Sequence, residues 1–273
     1  MGKITQILIY KTRNKIFWRR LLAVLTLIII TGLLVIFTNF QTEAILNKSV
    51  AETEFSQDIA GKISINDPNN NLDIKTNLIQ KVHPLPPNLE NWQDQTNSSD
   101  YFDQITPTKI GYLIWSRFPV QVKIDTPTGI SEKQAQVWVN SVLQAVQEWS
   151  VYLPLQVVKQ AESDITIIRK APPLQLSPQK IPRARSALTT YQLYTTNNVL
   201  SHRFTILLSP SQTGEYVQAA ARHELGHALG IWGHSPLQTD ALYFSQVRQP
   251  PSISIRDINT LKRVYEQPTS LGW

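Results

Sequence analysis

The chain has 273 residues, with 26 Lys+Arg against 20 Asp+Glu, a formal net charge of +6 and no cysteine. That length carries one or two domains with a real hydrophobic core, and the lack of cysteine excludes disulfide scaffolds, Cys-ligated zinc modules, iron–sulfur sites and thiol catalysis. The charge is segmental: residues 1–20 hold six bases and no acid, 41–106 four lysines against ten acids, and 107–273 16 bases against ten acids. The basic balance therefore describes three segments with different physics. Nucleic-acid binding is not expected, because the basic residues of 107–273 are scattered, with neither a helix stripe nor an aromatic stacking motif.

Residues 1–20 read as a cytoplasmic basic segment. From Leu21 to Thr42 there is no charge, and Leu21–Phe37 is apolar apart from two threonines and a glycine. As a helix, 21–40 spans about 30 Å, the thickness of a hydrocarbon core. A cleaved signal peptide would have a shorter apolar run and a small-x-small site, to which Thr38–Ala44 is a poor match. The reading is a single-pass signal anchor in the lipid bilayer, N-terminus cytoplasmic and the rest extracytoplasmic; secretion after signal cleavage is the alternative.

Residues 41–106 are rich in Asn, Gln and Asp, with loop signals at 67–71, 84–87 and 97–100. They read as a polar, acidic spacer or, because of short apolar runs at Ala60–Ile65 and Leu78–Val82, a pro-segment or lid. Residues 107–273 form the main domain. Phe118–Ile124 alternates as a strand; Ser131 and Gln134 make a capping box for a helix to Trp149; Leu155–Val158, Asp164–Ile168, Ser186–Tyr194 and Phe204–Leu208 are β-rich. A second helix runs from Gly214 to Gly230, and Ser254 with Asp257 opens a last one through Tyr265. The class is mixed α/β.

The second helix contains His223-Glu224-Leu225-Gly226-His227. Spacing i, i+4 puts both imidazoles on one face, one turn apart, where both can reach one metal ion. Gly230 can end the helix abruptly through positive φ, letting the chain double back and bring His234 to the same metal. Three neutral imidazoles and a water make the open tetrahedral site of hydrolytic zinc, with Glu224 as general base. Because imidazole must be neutral to ligate, zinc affinity should fall as pH drops through about 6.

The run His223–Ser235 (HELGHALGIWGHS), followed by Asp240-Ala241-Leu242-Tyr243, resembles the matrixins, the matrix-metalloproteinase-like branch of the metzincin zinc peptidases. The likeness extends to Trp149–Ile168 and Ile255–Tyr265. It implies a twisted, mixed five-stranded sheet on long helices, with a small C-terminal subdomain. It also implies one catalytic zinc and protein or peptide substrates lying extended along an edge strand drawn from Arg183–Tyr194. Departures are three residues rather than two between Gly230 and His234, which Gly233 would ease by its flexibility, and Leu242 where the family's turn has methionine. Tyr243 is assigned no metal-facing role.

His83 and His202 read as ordinary polar residues, and with only His202 and Asp164 as candidate ligands a second, structural zinc is not expected. Calcium is compatible, since backbone carbonyls supply many of its ligands. Without cysteine the family's thiol latch is impossible, so the acidic spacer resting on the basic domain is a candidate restraint. Two other readings stand beside the endopeptidase: a catalytically inactive, peptide-binding domain, and a gluzincin-type site in which Asp240 or Glu266 replaces His234.

Overall fold

The computed structural model describes residues 59–62, 79–160, 162–176 and 181–273. The basic segment, the span expected at 21–40 and most of the spacer before 79 lie outside the described residues, among which no helix is long and apolar enough to cross a membrane. In chain order the elements are β1 (Ile59–Lys62), α1 (Pro87–Glu90), β2 (Val120–Ile124), α2 (Glu132–Ser150), β3 (Leu155–Val158), β4 (Ile165–Arg169), β5 (Gln175–Leu176), β6 (Pro182–Arg183), β7 (Ala187–Thr196), β8 (Val199–Leu208), α3 (Glu215–Ala228) and α4 (Ile255–Tyr265).

Five strands of the main domain form a mixed sheet in the order β7-β8-β4-β2-β3. β8, β4, β2 and β3 run parallel, while β7 is antiparallel to β8. The β7–β8 hairpin turns on Asn197 and Asn198 at φ 51° and 64°, the left-handed pair that a two-residue turn needs and that asparagine tolerates best after glycine. β1 adds a sixth strand outside β7, parallel to it, with Ile59 opposite Thr189 and Lys62 opposite Gln192. The expected edge strand is thus covered over 189–192 by a piece of the spacer.

Alternation builds the core. Val120 and Val122, Ile165 and Ile167, and Phe204, Ile206 and Leu208 are buried, as a period of two requires for strands with one face turned to helices. They share one core with Trp138, Val142, Val146 and Trp149 of α2 and Val217, Ala221 and Leu225 of α3. Both predicted capping boxes are made, Ser131 with Gln134 and Ser254 with Asp257.

The domain reaches further upstream than 107. Residues 79–106 lie along α4 instead of trailing as a solvated stalk: Trp92 Nε1 donates to Asn259 at 2.9 Å, Lys262 Nζ to Trp92 O at 2.9 Å, and Lys81 and Thr269 exchange backbone hydrogen bonds of 3.0 and 2.9 Å. Leu89, Tyr101 and Ile105 are buried. These apolar anchors, together with backbone pairing, hold the segment; the partly exposed Arg263–Asp100 ion pair at 3.1 Å adds little. Asn, Asp and Gln dominate the composition here, so the few buried side chains were hidden among loop signals.

Candidate metal centre

α3 carries the site because its inner face must be apolar and its remaining face polar. Val217, Ala221, Leu225 and Ala228 are buried, while Arg222 is clamped to α2 through Glu148, with Nε–Oε2 at 2.5 Å and Nη2–Oε1 at 2.8 Å. Trp149 Nε1 of α2 donates to Arg222 O at 2.8 Å, and Trp115 Nε1 to Ala228 O at 2.9 Å. The helix is fixed at both ends of the histidine motif.

His223, His227 and His234 come together, with one ligating atom from each within 4.8 Å of the others. Their ring centroids are 4.7 to 5.1 Å apart. His223 Nδ1 is 2.8 Å from Ala241 O and His227 Nδ1 is 2.8 Å from Ile231 O. A carbonyl only accepts, so each Nδ1 carries the proton and each Nε2 is a bare lone pair. Those two Nε2 atoms face each other at 3.1 Å. Two lone pairs at that distance repel unless a cation lies between them. Tetrahedral zinc with Zn–N near 2.0–2.1 Å holds its nitrogens about 3.3 Å apart, so the donor set and its spacing fit such an ion, and the carbonyls play the orienting part that metal-bound imidazoles need. The three histidines could hold a metal ion.

Burial lowers the pKa of His223 to about 4, partly offset by its bond to Ala241 O, and that of His227 to about 3, with the neighbouring His223 adding to the effect; burial also pushes His234 well down. The ligating, neutral form therefore persists below the pH near 6 expected from free imidazole.

The loop that carries His234 departs from expectation at one glycine. Gly230 takes φ 131°, as the abrupt helix end requires. Gly233, by contrast, does not supply flexibility: a Cβ there would lie 2.2 Å from Gln104 O, so the residue is bare because the 104–106 backbone passes against it, pairing Ile105 with Gly233 and Thr106 N with Trp232 O at 3.3 Å. The longer loop is braced from outside.

Behind the histidines lies the turn at 240–243. Leu242 is fully buried, and a Cβ on Gly226 would come within 2.6 Å of its Cδ2, so helix and turn touch at a distance only glycine allows. Asp257, buried at the start of α4, accepts from Ala241 N at 2.9 Å, Ser254 N at 2.7 Å and Tyr101 OH at 2.5 Å. One carboxylate thus caps α4 and holds the turn whose carbonyl orients His223. Asp257 was legible in the sequence only as a cap, and Gly226 only as a filler of the motif.

The other candidates are engaged elsewhere. Asp240 accepts from Ser235 Oγ and, at 3.0 Å, from Arg256 Nε; Glu266 is exposed beyond α4. His202 is fully buried and stacked on Trp115 at 4.0 Å, where burial lowers its pKa to about 3. Asp164 accepts from Gln121 N at 2.7 Å, and His83 Nε2 lies 2.7 Å from Leu271 O. Glu224 is nearly buried, with its carboxylate bonded to Thr189 of β7. Compared with models of known protein families and with curated proteins, the chain matches none.

Proposed function

We propose that the chain is a membrane-anchored, zinc-dependent endopeptidase of the matrixin-like metzincin type, acting on proteins or peptides at the extracytoplasmic face. The observation that carries this reading is the convergence of three imidazoles, two of them with bare Nε2 atoms 3.1 Å apart, around a helix that also bears Glu224. An all-imidazole donor set suits zinc. Zinc bound there would supply a Lewis acid for the scissile carbonyl and a more acidic attacking water.

The chain's own groups supply the rest. Ala241 O and Ile231 O fix the tautomers of His223 and His227, so that Nε2 is the ligating atom on both. Glu224 takes the proton of the attacking water and returns it to the leaving amine. The β7 backbone offers a strand edge on which an extended peptide would be aligned. Over Thr189–Gln192 that edge carries Ile59–Lys62, which supports the idea that the spacer restrains access in place of a thiol latch. Calcium remains compatible with carbonyl ligands and enters no step.

The test is metal analysis combined with cleavage of a broad peptide library. One zinc per chain and cleavage that is lost in Glu224→Ala at retained zinc is the expected result. Zinc and peptide binding without any cleavage would favour the inactive, peptide-binding alternative. Retention of zinc in His234→Ala, with loss in Glu266→Ala, would favour the gluzincin-type arrangement.

A further inference from the structure

We propose that Thr189 is a positioning residue that holds the Glu224 carboxylate in its working orientation; the assignment rests on the peptidase reading above. Thr189 lies in β7 and is fully buried. Its Oγ1 donates to Glu224 Oε2 at 2.5 Å and lies 3.2 Å from the Glu224 carbonyl oxygen. A hydroxyl has one proton, and of the two acceptors the carboxylate is the stronger, so the carboxylate takes it.

The placement is specific. Consecutive side chains of a strand point to opposite faces: the neighbouring Thr190 hydroxyl turns to Thr205 O at 3.3 Å, and Thr189 alone of the two faces α3. A valine would serve the strand and the core equally well by shape, and a buried hydroxyl is unfavourable unless it is bonded. What the oxygen adds at this position is its bond to Glu224. The geometry also suits a fixed reference point. Thr189 is β-branched and stiff at χ1, and it sits in a strand paired on both sides, to Ile206 of β8 and Ile59 of β1. Glutamate has three rotatable side-chain bonds, and a general base displaced by about 1 Å can lose about a hundredfold in rate. Tying one carboxylate oxygen to β7 links the base to the same strand on which a substrate would align, so base and peptide share one frame.

The experiment compares zinc-loaded full-length wild type, Thr189→Val and Thr189→Ser, by steady-state kinetics on a cleaved peptide, zinc content and crystal structures. The expected result is a kcat lower by about 10- to 100-fold in Thr189→Val with KM and zinc content little changed, near-complete rescue in Thr189→Ser, and a Glu224 side chain displaced in the valine variant but not in the serine one. Wild-type kcat in Thr189→Val, or a serine variant as slow as the valine one, would overturn the assignment. If Thr189→Val does not fold, Thr189→Ala takes its place. If the zinc-loaded wild type cleaves nothing, the peptidase reading fails separately. The two variant structures then decide the positioning role: a Glu224 that has not moved in Thr189→Val refutes it, and one that has moved there but not in Thr189→Ser upholds it.

Discussion

The two sides of the histidine cluster are built by different physics. Behind it, α3 is pressed onto the turn at 240–243 by side-chain packing and buried polar bonds: Gly226 against Leu242, Asp257 beneath Ala241, Trp149 on Arg222 O. In front, the wall is a strand edge, and what covers it is a backbone ladder of four residue pairs between β1 and β7. Close packing admits few substitutes at a given position, whereas a ladder accepts any extended chain. The rear is therefore suited to holding three imidazoles still, and the front to exchanging one strand for another.

Substitutions at the rear should do the greatest damage. Asp257→Ala removes the acceptor from the Ala241 and Ser254 N–H groups and from Tyr101 OH together; leaving buried donors unsatisfied should lower stability by about 3–5 kcal/mol, read by denaturant unfolding, with zinc affinity falling in parallel. A loss under about 1 kcal/mol would mean that the turn does not depend on this carboxylate. Next comes Gly226→Ala, which drives a methyl into Leu242 and Trp149 and should cost about 1–3 kcal/mol. If the contact is the cause, the double variant Gly226→Ala with Leu242→Ala should cost less than the two single variants added together.

A rear effect of another kind is a pH dependence at His202, stacked on Trp115, whose indole bonds the end of α3. In the unfolded chain this ring titrates near 6.5, while burial lowers the folded value to about 3. Below about 6.5 the unfolded state takes up a proton that the folded state refuses. Stability is therefore whole above 6.5 and declines as pH falls toward 3, by up to about 1.4 kcal/mol per pH unit. His202→Leu should flatten that decline relative to wild type, measured by unfolding between pH 7 and 4; parallel curves would contradict it.

At the front the same logic predicts little change in stability but a change in access. A chain beginning at residue 79 lacks β1 yet keeps the segment along α4, and should cleave peptides about tenfold faster than one beginning at 41, the equivalent of roughly one or two backbone hydrogen bonds. Equal rates would leave Ile59–Lys62 a passive cover of the edge. The contrast would break altogether if removing β1 destabilised the domain as much as Asp257→Ala does.

Much of this was legible locally. The capping boxes at Ser131 and Ser254, the alternation in β2 and β4, and the i, i+4 spacing of His223 and His227 each depend on residues within one turn or a few strand positions, where propensity and periodicity act. The stop at Gly230 belongs with them, because an abrupt helix end is a backbone requirement of a single residue.

Beyond that reach, three-dimensional packing made the decisions. That 79–106 lies along α4, that Gly233 is bare because Gln104 passes over it, and that β1 covers β7 all join residues more than a hundred positions apart. No short-range signal marks such pairs, since each partner alone looks like an ordinary loop or strand residue. Thr189 is the clearest case: to its own segment it is a good strand former, and only its burial against α3 turns its hydroxyl toward Glu224. The sequence by itself determined that α3 carries His223, Glu224 and His227. The tertiary structure decided what holds them, because a hydrogen bond or a close contact is a property of two distant places at once.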